Sequence, residues 1–448
     1  MAKFPDIWCS RLSLALACAV SLASAGCSFK NRESAGGGPL TDTDGGTGGG
    51  GAVTGLTALQ ISPPTATIMA TNGGPPATQS YKVTGTINGQ TQDVTSMVTY
   101  SASPSGVVTV GADGVATATG AGVVVITASS GRLSAQATLT VSYVFTGADP
   151  GSAGSGVPAN AGSLFTTAPS DPSRAPQLVY PNDGVLFPPN VTGVEVHFRP
   201  GASANTLFQV SFAGPLATMN TFVRCSAPSG ITGCIYLPDA ALWAMVASAN
   251  AGRGAVKLSV RGTDDSGTAA GTSAEFTLQF SRDPVQGALY YWTTSGKTAI
   301  MRWDFAGSTQ SAQPYLTPTN TDGKTCVGCH ALAPNGDKLV ASAGGQNDGR
   351  LLLWDITKNA PVQAFPLAQK SQFESWNADG SQFVGVYGDG TPNHKWRSDL
   401  MIFDGATGQK TGVIDLGGLR ADHPDWTKNA GTSNTIVFTS MDPNAGTT

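Results

Sequence analysis

The chain has 448 residues, of which only 12% are charged, with a formal net charge of −4 and 57 glycines. At about 150 residues per domain, that length predicts two to four domains rather than one core. The sparse, slightly acidic charge excludes a basic nucleic-acid surface, and the richness in Gly, Pro, Ser, Thr and Ala predicts turn-rich β modules.

Lys3 and Arg11 precede an apolar run over residues 12–25 that ends in small residues, the pattern of an export signal. The run is too short to span a bilayer as a stable helix. Its end, Leu22-Ala23-Ser24-Ala25-Gly26-Cys27, resembles the lipobox of bacterial lipoproteins, with Ser24 where that family usually has Leu. The resemblance implies that residues 1–27 are a lipoprotein signal, that Cys27 is acylated, and that the protein is anchored to a membrane through lipid. Ser28 follows in place of the Asp of inner-membrane retention, which implies an outer-membrane lipoprotein facing the periplasm or the cell surface. Residues 28–54, with Gly36-Gly37-Gly38 and the glycines of 45–51, cannot bury a core and read as a flexible tether.

Residues 55–144 alternate short β-rich runs with turns, which predicts an antiparallel sandwich. The phrases Asp93-Val94-Thr95, Val98-Thr99-Tyr100, Gly111-Ala112-Asp113-Gly114-Val115-Ala116-Thr117-Ala118 and Val124-Val125-Ile126-Thr127-Ala128 resemble the bacterial Ig-like group 2 domain. That resemblance implies a spacer or adhesive module. Residues 145–174 are again rich in Gly, Ala, Pro and Ser and read as a linker. A second sandwich, Ig-like or fibronectin-like, is expected over 175–284, with strands at 191–198, 206–212, 255–261 and 274–280 and a helical turn at 239–248. Cys225 and Cys234 flank a turn-rich segment there and predict a disulfide. His197 falls inside a β-rich run and reads as a strand residue.

Over 285–448 the chain repeats. Trp303-Asp304, Trp354-Asp355 and Phe403-Asp404 each close a hydrophobic strand, and Asn335-Gly336 and Asp379-Gly380 each mark a tight turn between strands. These units, together with His423-Pro424-Asp425-Trp426, resemble TolB-like and WD-repeat β-propeller blades. Three blades and the beginning of another are visible, so the expected class is all-β: two sandwiches and an incomplete propeller, with either a fragment or an open ring as the expectation.

Within this region stands Cys326-Val327-Gly328-Cys329-His330. C-x-x-C-H is the attachment motif of haem c, in which both thiols form thioethers and the histidine binds iron. The resemblance implies covalent haem c on Cys326 and Cys329 with His330 as axial ligand. In the cytochrome c family the motif lies in a small helical domain, whereas here strands bracket it.

Aligning the turns sets Leu332 on Trp376 and Trp426, and Cys329 on Phe373 and His423. His423 is thereby a candidate second axial ligand, with a cap on its own turn through Asp425 as the alternative. His394 in a polar loop is a weaker candidate, and Met401 reads as a core residue of its strand. The functional expectation is a cell-envelope haem c protein for electron transfer or redox or gas sensing, with a redox partner protein. The alternative is a non-enzymatic adhesion module binding a surface glycan or protein, with the motif serving as a disulfide or metal site. No nucleophile elbow or H-E-x-x-H points to hydrolysis, so no catalytic residue is assigned.

Overall fold

The computed structural model describes residues 52–441 apart from 153–155, 228–229, 231, 295–297, 306–310, 346–347, 388–398 and 429–434. The segment expected as an export signal, Cys27, nearly all of the expected tether and His394 lie outside the described residues. Strands dominate, at 50% against 8% helix. Glu33–Gln286 form one compact unit and Gly287–Thr448 belong to the other.

The first unit opens with an Ig-like sandwich. Strand Gly122–Ser130 buries every second residue, as a strand with one face on a core must. Val124 and Ile126 thus meet Val83, Leu139 and Val141 in one apolar cluster. The next strand, Leu133–Ala148, runs 16 residues and does not stop where the first module ends. Its last part, from Tyr143 to Ala148, pairs in parallel with Ala217–Arg224 of the second sandwich, so a single ten-stranded sheet serves both modules.

The segment expected as a linker over 145–174 is therefore structured. It continues that strand and then forms the helix Ala161–Thr167, whose buried Phe165 stacks on Phe222 with ring centroids 5.7 Å apart. The small-residue composition masks two aromatic anchors, Phe145 and Phe165, that decide the local structure. Asp149 in the same segment is buried and accepts hydrogen bonds from the Tyr236 hydroxyl and, at 3.1 Å, from the Asp239 backbone N–H.

The second sandwich centres on Trp243, carried by helix Ala240–Asn250 and packed edge-on against Phe212 and Phe280. Asp239 caps this helix, its Oδ1 accepting from the N–H groups of Ala241 and Leu242. Cys225 and Cys234 are joined as a disulfide, with Cα atoms 4.9 Å apart. His197 lies in strand Val196–Arg199 with its ring beside Glu195.

The other unit is a series of antiparallel meanders. The second blade comprises Gly328–Leu332, Lys338–Ala343, Arg350–Asp355 and Ala360–Pro361; the third comprises Phe373–Trp376, Gln382–Val386, Leu400–Asp404 and Lys410–Ile414. A fourth begins with Arg420–Trp426 paired to Ile436–Met441. The first, Ala288–Thr293, Ala299–Asp304 and Gln313–Leu316, has three strands. Matched on its Trp303-Asp304 pair, it lacks an innermost strand among the described residues. Met401 is half-buried against the core that holds Trp376, Phe383 and Phe403.

Candidate functional site

Each residue of the pentapeptide has a separate structural task. Val327 is fully buried with Ile300, Leu316, Leu339 and Leu352, so it fixes the motif to the blade core. Gly328 lies against the indole of Trp292, where an added Cβ would come within 2.6 Å of Cε2 and force the indole to move. With Val327 and Gly328 held in this way, the two thiols flank the anchor.

The backbone around them is unusual. Cys326 and Cys329 have φ of 57° and 46°, a region that non-glycine residues seldom occupy. Gly328 pairs with Ser342 and Ala331 with Val340, leaving one extra residue at Cys329-His330. This is a β-bulge, which re-aims side chains out of the regular pleat. The aligned position in the fourth blade repeats the device: Asp422 pairs with Thr439 and Asp425 with Val437, and His423 has φ of 46°. The third blade has no such shift between Phe373 and Trp376.

Cys326 and Cys329 are free thiols. Burial first, and then the charge of Glu374, push the Cys329 thiol up to about 11, so it stays protonated at neutral pH. His330 is half-buried, and this desolvation lowers its pKa and favours the neutral imidazole. Its Nε2 lies 3.3 Å from the carbonyl of Tyr290 on the first blade; a carbonyl only accepts, so this nitrogen carries the proton.

The pattern of residues gave no warning of Glu374. It belongs to the inner strand Phe373–Trp376, which packs beside the motif strand, and it is the only glutamate beyond Glu275. Both carboxyl oxygens are buried and have no hydrogen-bond partner among the described residues. The nearby Ser371 hydroxyl donates instead to the Val386 carbonyl at 3.2 Å. Burial pushes the Glu374 carboxyl up to about 8, with Ser371 opposing weakly. Only its isolation as an acidic residue within a hydrophobic inner strand could have singled it out.

His423 is placed differently from the axial-ligand expectation. Its ring is 63% exposed, stacks on Phe373 at 3.9 Å between centroids, and has Nδ1 3.2 Å from Asp422 Oδ1. The alternative cap through Asp425 is not formed either, because Asp425 accepts from Ser375 at 2.8 Å, while the His423 backbone N–H donates to Asp422. On the Cys326 side, Asp348 is held well below the usual carboxylate range, against its burial, by Arg350 at 2.9 Å with Lys324 and Lys370 further off.

No protein-family model matches the chain, and no curated protein matches it. Among solved structures, it is similar to putative TolB from Agrobacterium tumefaciens (20% identity, TM-score 0.22, 31% of this chain and 50% of that one). TolB from Acinetobacter baumannii gives 12% identity and a TM-score of 0.24 over 57% and 65% of the two chains. Hydrazine synthase of Kuenenia stuttgartiensis gives 14% and 0.22 over 39% and 49%. The chain thus spans about half the length of the first and third of these structures and 65% of the second. At such TM-scores the likeness bears no weight, and the blade assignment stands on the meanders themselves.

Proposed function

We propose that this protein is an exported cell-envelope protein carrying one covalently attached haem c in its blade unit, for electron transfer or for redox or gas sensing. The observation that carries the reading is the pair of unjoined thiols. Cys225 and Cys234 close a disulfide, whereas Cys326 and Cys329, only three residues apart, stay free on either side of an anchored Val327-Gly328. That state is the one thioether formation needs, and it disfavours the motif as a structural disulfide.

The donor set fits the group. Cys326 and Cys329 would hold it, and His330 is neutral and adjacent, as an iron ligand must be. Ligation through Nε2 exchanges one long hydrogen bond to Tyr290. When bound, haem c supplies one-electron exchange at iron. The bulge at Cys329-His330 turns both side chains out of the regular alternation, and Gly328 keeps the strand close to Trp292.

The finer readings belong with this proposal: residues 55–144 as a bacterial Ig-like group 2 spacer, Cys27 as the site of lipidation in the outer membrane, and a redox protein as partner. A surface glycan is the partner expected if no haem is attached. The test is expression of the mature chain with a haem-attachment system, a peroxidase-stained denaturing gel, and a reduced-minus-oxidised spectrum. A stained band lost in Cys326→Ala and Cys329→Ala supports the reading; an unstained wild-type chain refutes it.

A further inference from the structure

We propose that Lys324 and Lys370 form a docking point for an acidic partner protein at the Cys326 end of the motif, so that the redox partner is recognised by its carboxylates; this rests on the function proposed above. The cluster consists of three cations around one carboxylate. Asp348 Oδ1 accepts from Arg350 Nε at 2.9 Å, whereas the ammonium groups of Lys370 and Lys324 stand 3.8 Å from Oδ1 and 3.7 Å from Oδ2, beyond hydrogen-bond distance. Arg350 thus neutralises Asp348, and neither lysine has a carboxylate of its own among the described residues. Ion pairs of this length between half-exposed side chains contribute little to stability, so the fold gains little from holding both lysines here.

Three observations direct the pair toward an anionic surface at the motif. First, the lysines are placed rather than scattered. Lys370 is bridged to Arg350 through the backbone, and its Nζ donates to the Tyr387 hydroxyl at 3.2 Å and lies 5.2 Å from the centre of that ring. Second, the cluster adjoins the first thiol: the Gly344 N–H donates to the Thr325 carbonyl at 2.9 Å, and a Cβ built on Gly345 would lie 4.0 Å from Cys326 Sγ. A partner drawn to these cations is drawn to the point of covalent attachment. Third, the cluster runs against the balance of the chain, which is only 12% charged and carries a net −4. Two uncompensated cations flanking one carboxylate make a local positive field on a slightly acidic background, the arrangement that steers an oppositely charged partner. Asp322, exposed two residues before Lys324, enters no ion pair among the described residues.

The test uses the haem-loaded mature chain, reduced and then mixed with anionic hexacyanoferrate(III) or cationic tris(phenanthroline)cobalt(III), each of which takes one electron from the iron. Despite the net negative charge of the chain, hexacyanoferrate should slow as salt is added. Lys324→Glu with Lys370→Glu should cut its rate at least about tenfold and leave the cobalt complex as fast or faster. The same charge change at the exposed Lys82 and Lys257 of the sandwich unit should alter either rate by less than about threefold. A second readout needs no iron: the haem-free chain should be retained on immobilised poly-L-glutamate at low salt, and the Lys324 and Lys370 double variant should not. Unchanged hexacyanoferrate kinetics in that variant, or equal retention of the two chains, overturns the inference. Binding to phosphatidylglycerol vesicles without retention on polyglutamate assigns the face to a lipid headgroup and overturns it too. An unstained wild-type gel defeats the underlying function, whereas a stained gel with kinetics blind to these charges defeats this inference alone.

Discussion

Two side chains whose polar atoms are buried, one in each unit, show opposite uses of the same physical expense. Asn250, at the end of the helix in the second sandwich, uses its amide completely: Oδ1 accepts from the Leu216 N–H at 2.9 Å, and Nδ2 donates to the carbonyls of Ala217 and Val246. It fixes the turn between two strands and is architecture. Glu374, in the inner strand beside the motif strand, has no partner for either oxygen among the described residues. The backbone shows the same contrast. Asn88 is the one described non-glycine residue of the sandwich unit with positive φ, whereas Cys326, Cys329 and His423 all adopt it in the blade unit. A satisfied buried group with relaxed backbone holds a fold together. An unsatisfied one beside residues of positive φ leaves a desolvation cost that its own hydrogen bonds do not offset.

The comparison can be broken by mutation. Asn250→Ala leaves buried N–H and C=O groups unpaired and should lower unfolding free energy by about 3 kcal/mol, read by denaturant unfolding. Glu374→Gln should do the reverse in the chain without haem. The folded carboxyl titrates near 8 against an ordinary 4.5, so the folded state holds a proton that the unfolded state has released over that interval. Stability of the wild type therefore falls as pH rises from about 4.5 to about 8 and levels off above. Glu374→Gln should lack this fall and exceed wild type by about 2 kcal/mol at pH 8, a figure well below the full linkage value to allow for water reaching the ionised group. Parallel pH profiles for the two proteins would show that Glu374 has a partner in the chain after all. The smallest effect belongs to His423→Ala: with its ring exposed on Phe373, it should change stability by less than about 0.5 kcal/mol and leave the Soret spectrum of the loaded protein unaltered.

Much of the blade unit was legible in the sequence because its signals are local. Trp354-Asp355 and Phe403-Asp404 do close the third strands of their blades, and Asn335-Gly336 and Asp379-Gly380 do lie in the turns between first and second strands. The alignment of Leu332, Trp376 and Trp426 also holds, since each pairs at the equivalent place with Leu339, Phe383 and Ile436. What escaped was non-local. The continuation of Leu133–Ala148 into the second sandwich depends on a parallel pairing with Ala217–Arg224, more than 70 residues away, and a Gly/Ala/Pro/Ser-rich segment gives no hint of it. For His423, alignment fixes a register position but not a side chain's company. The shared bulge puts it at the position of Cys329, yet Phe373 and Asp422 hold its ring. Glu374 was invisible because a polar residue in an alternating strand reads as solvent-facing, whereas in the fold its carboxyl oxygens are buried.

The most direct test of the account is the intact mass and peroxidase stain of the mature chain produced with a haem-attachment system. The account predicts the mass of the chain plus one haem, with the stained band surviving denaturation and disappearing when Cys326 and Cys329 are both replaced by alanine. A chain that leaves the same system at its bare mass, or with Cys326 and Cys329 joined as a disulfide, would contradict it.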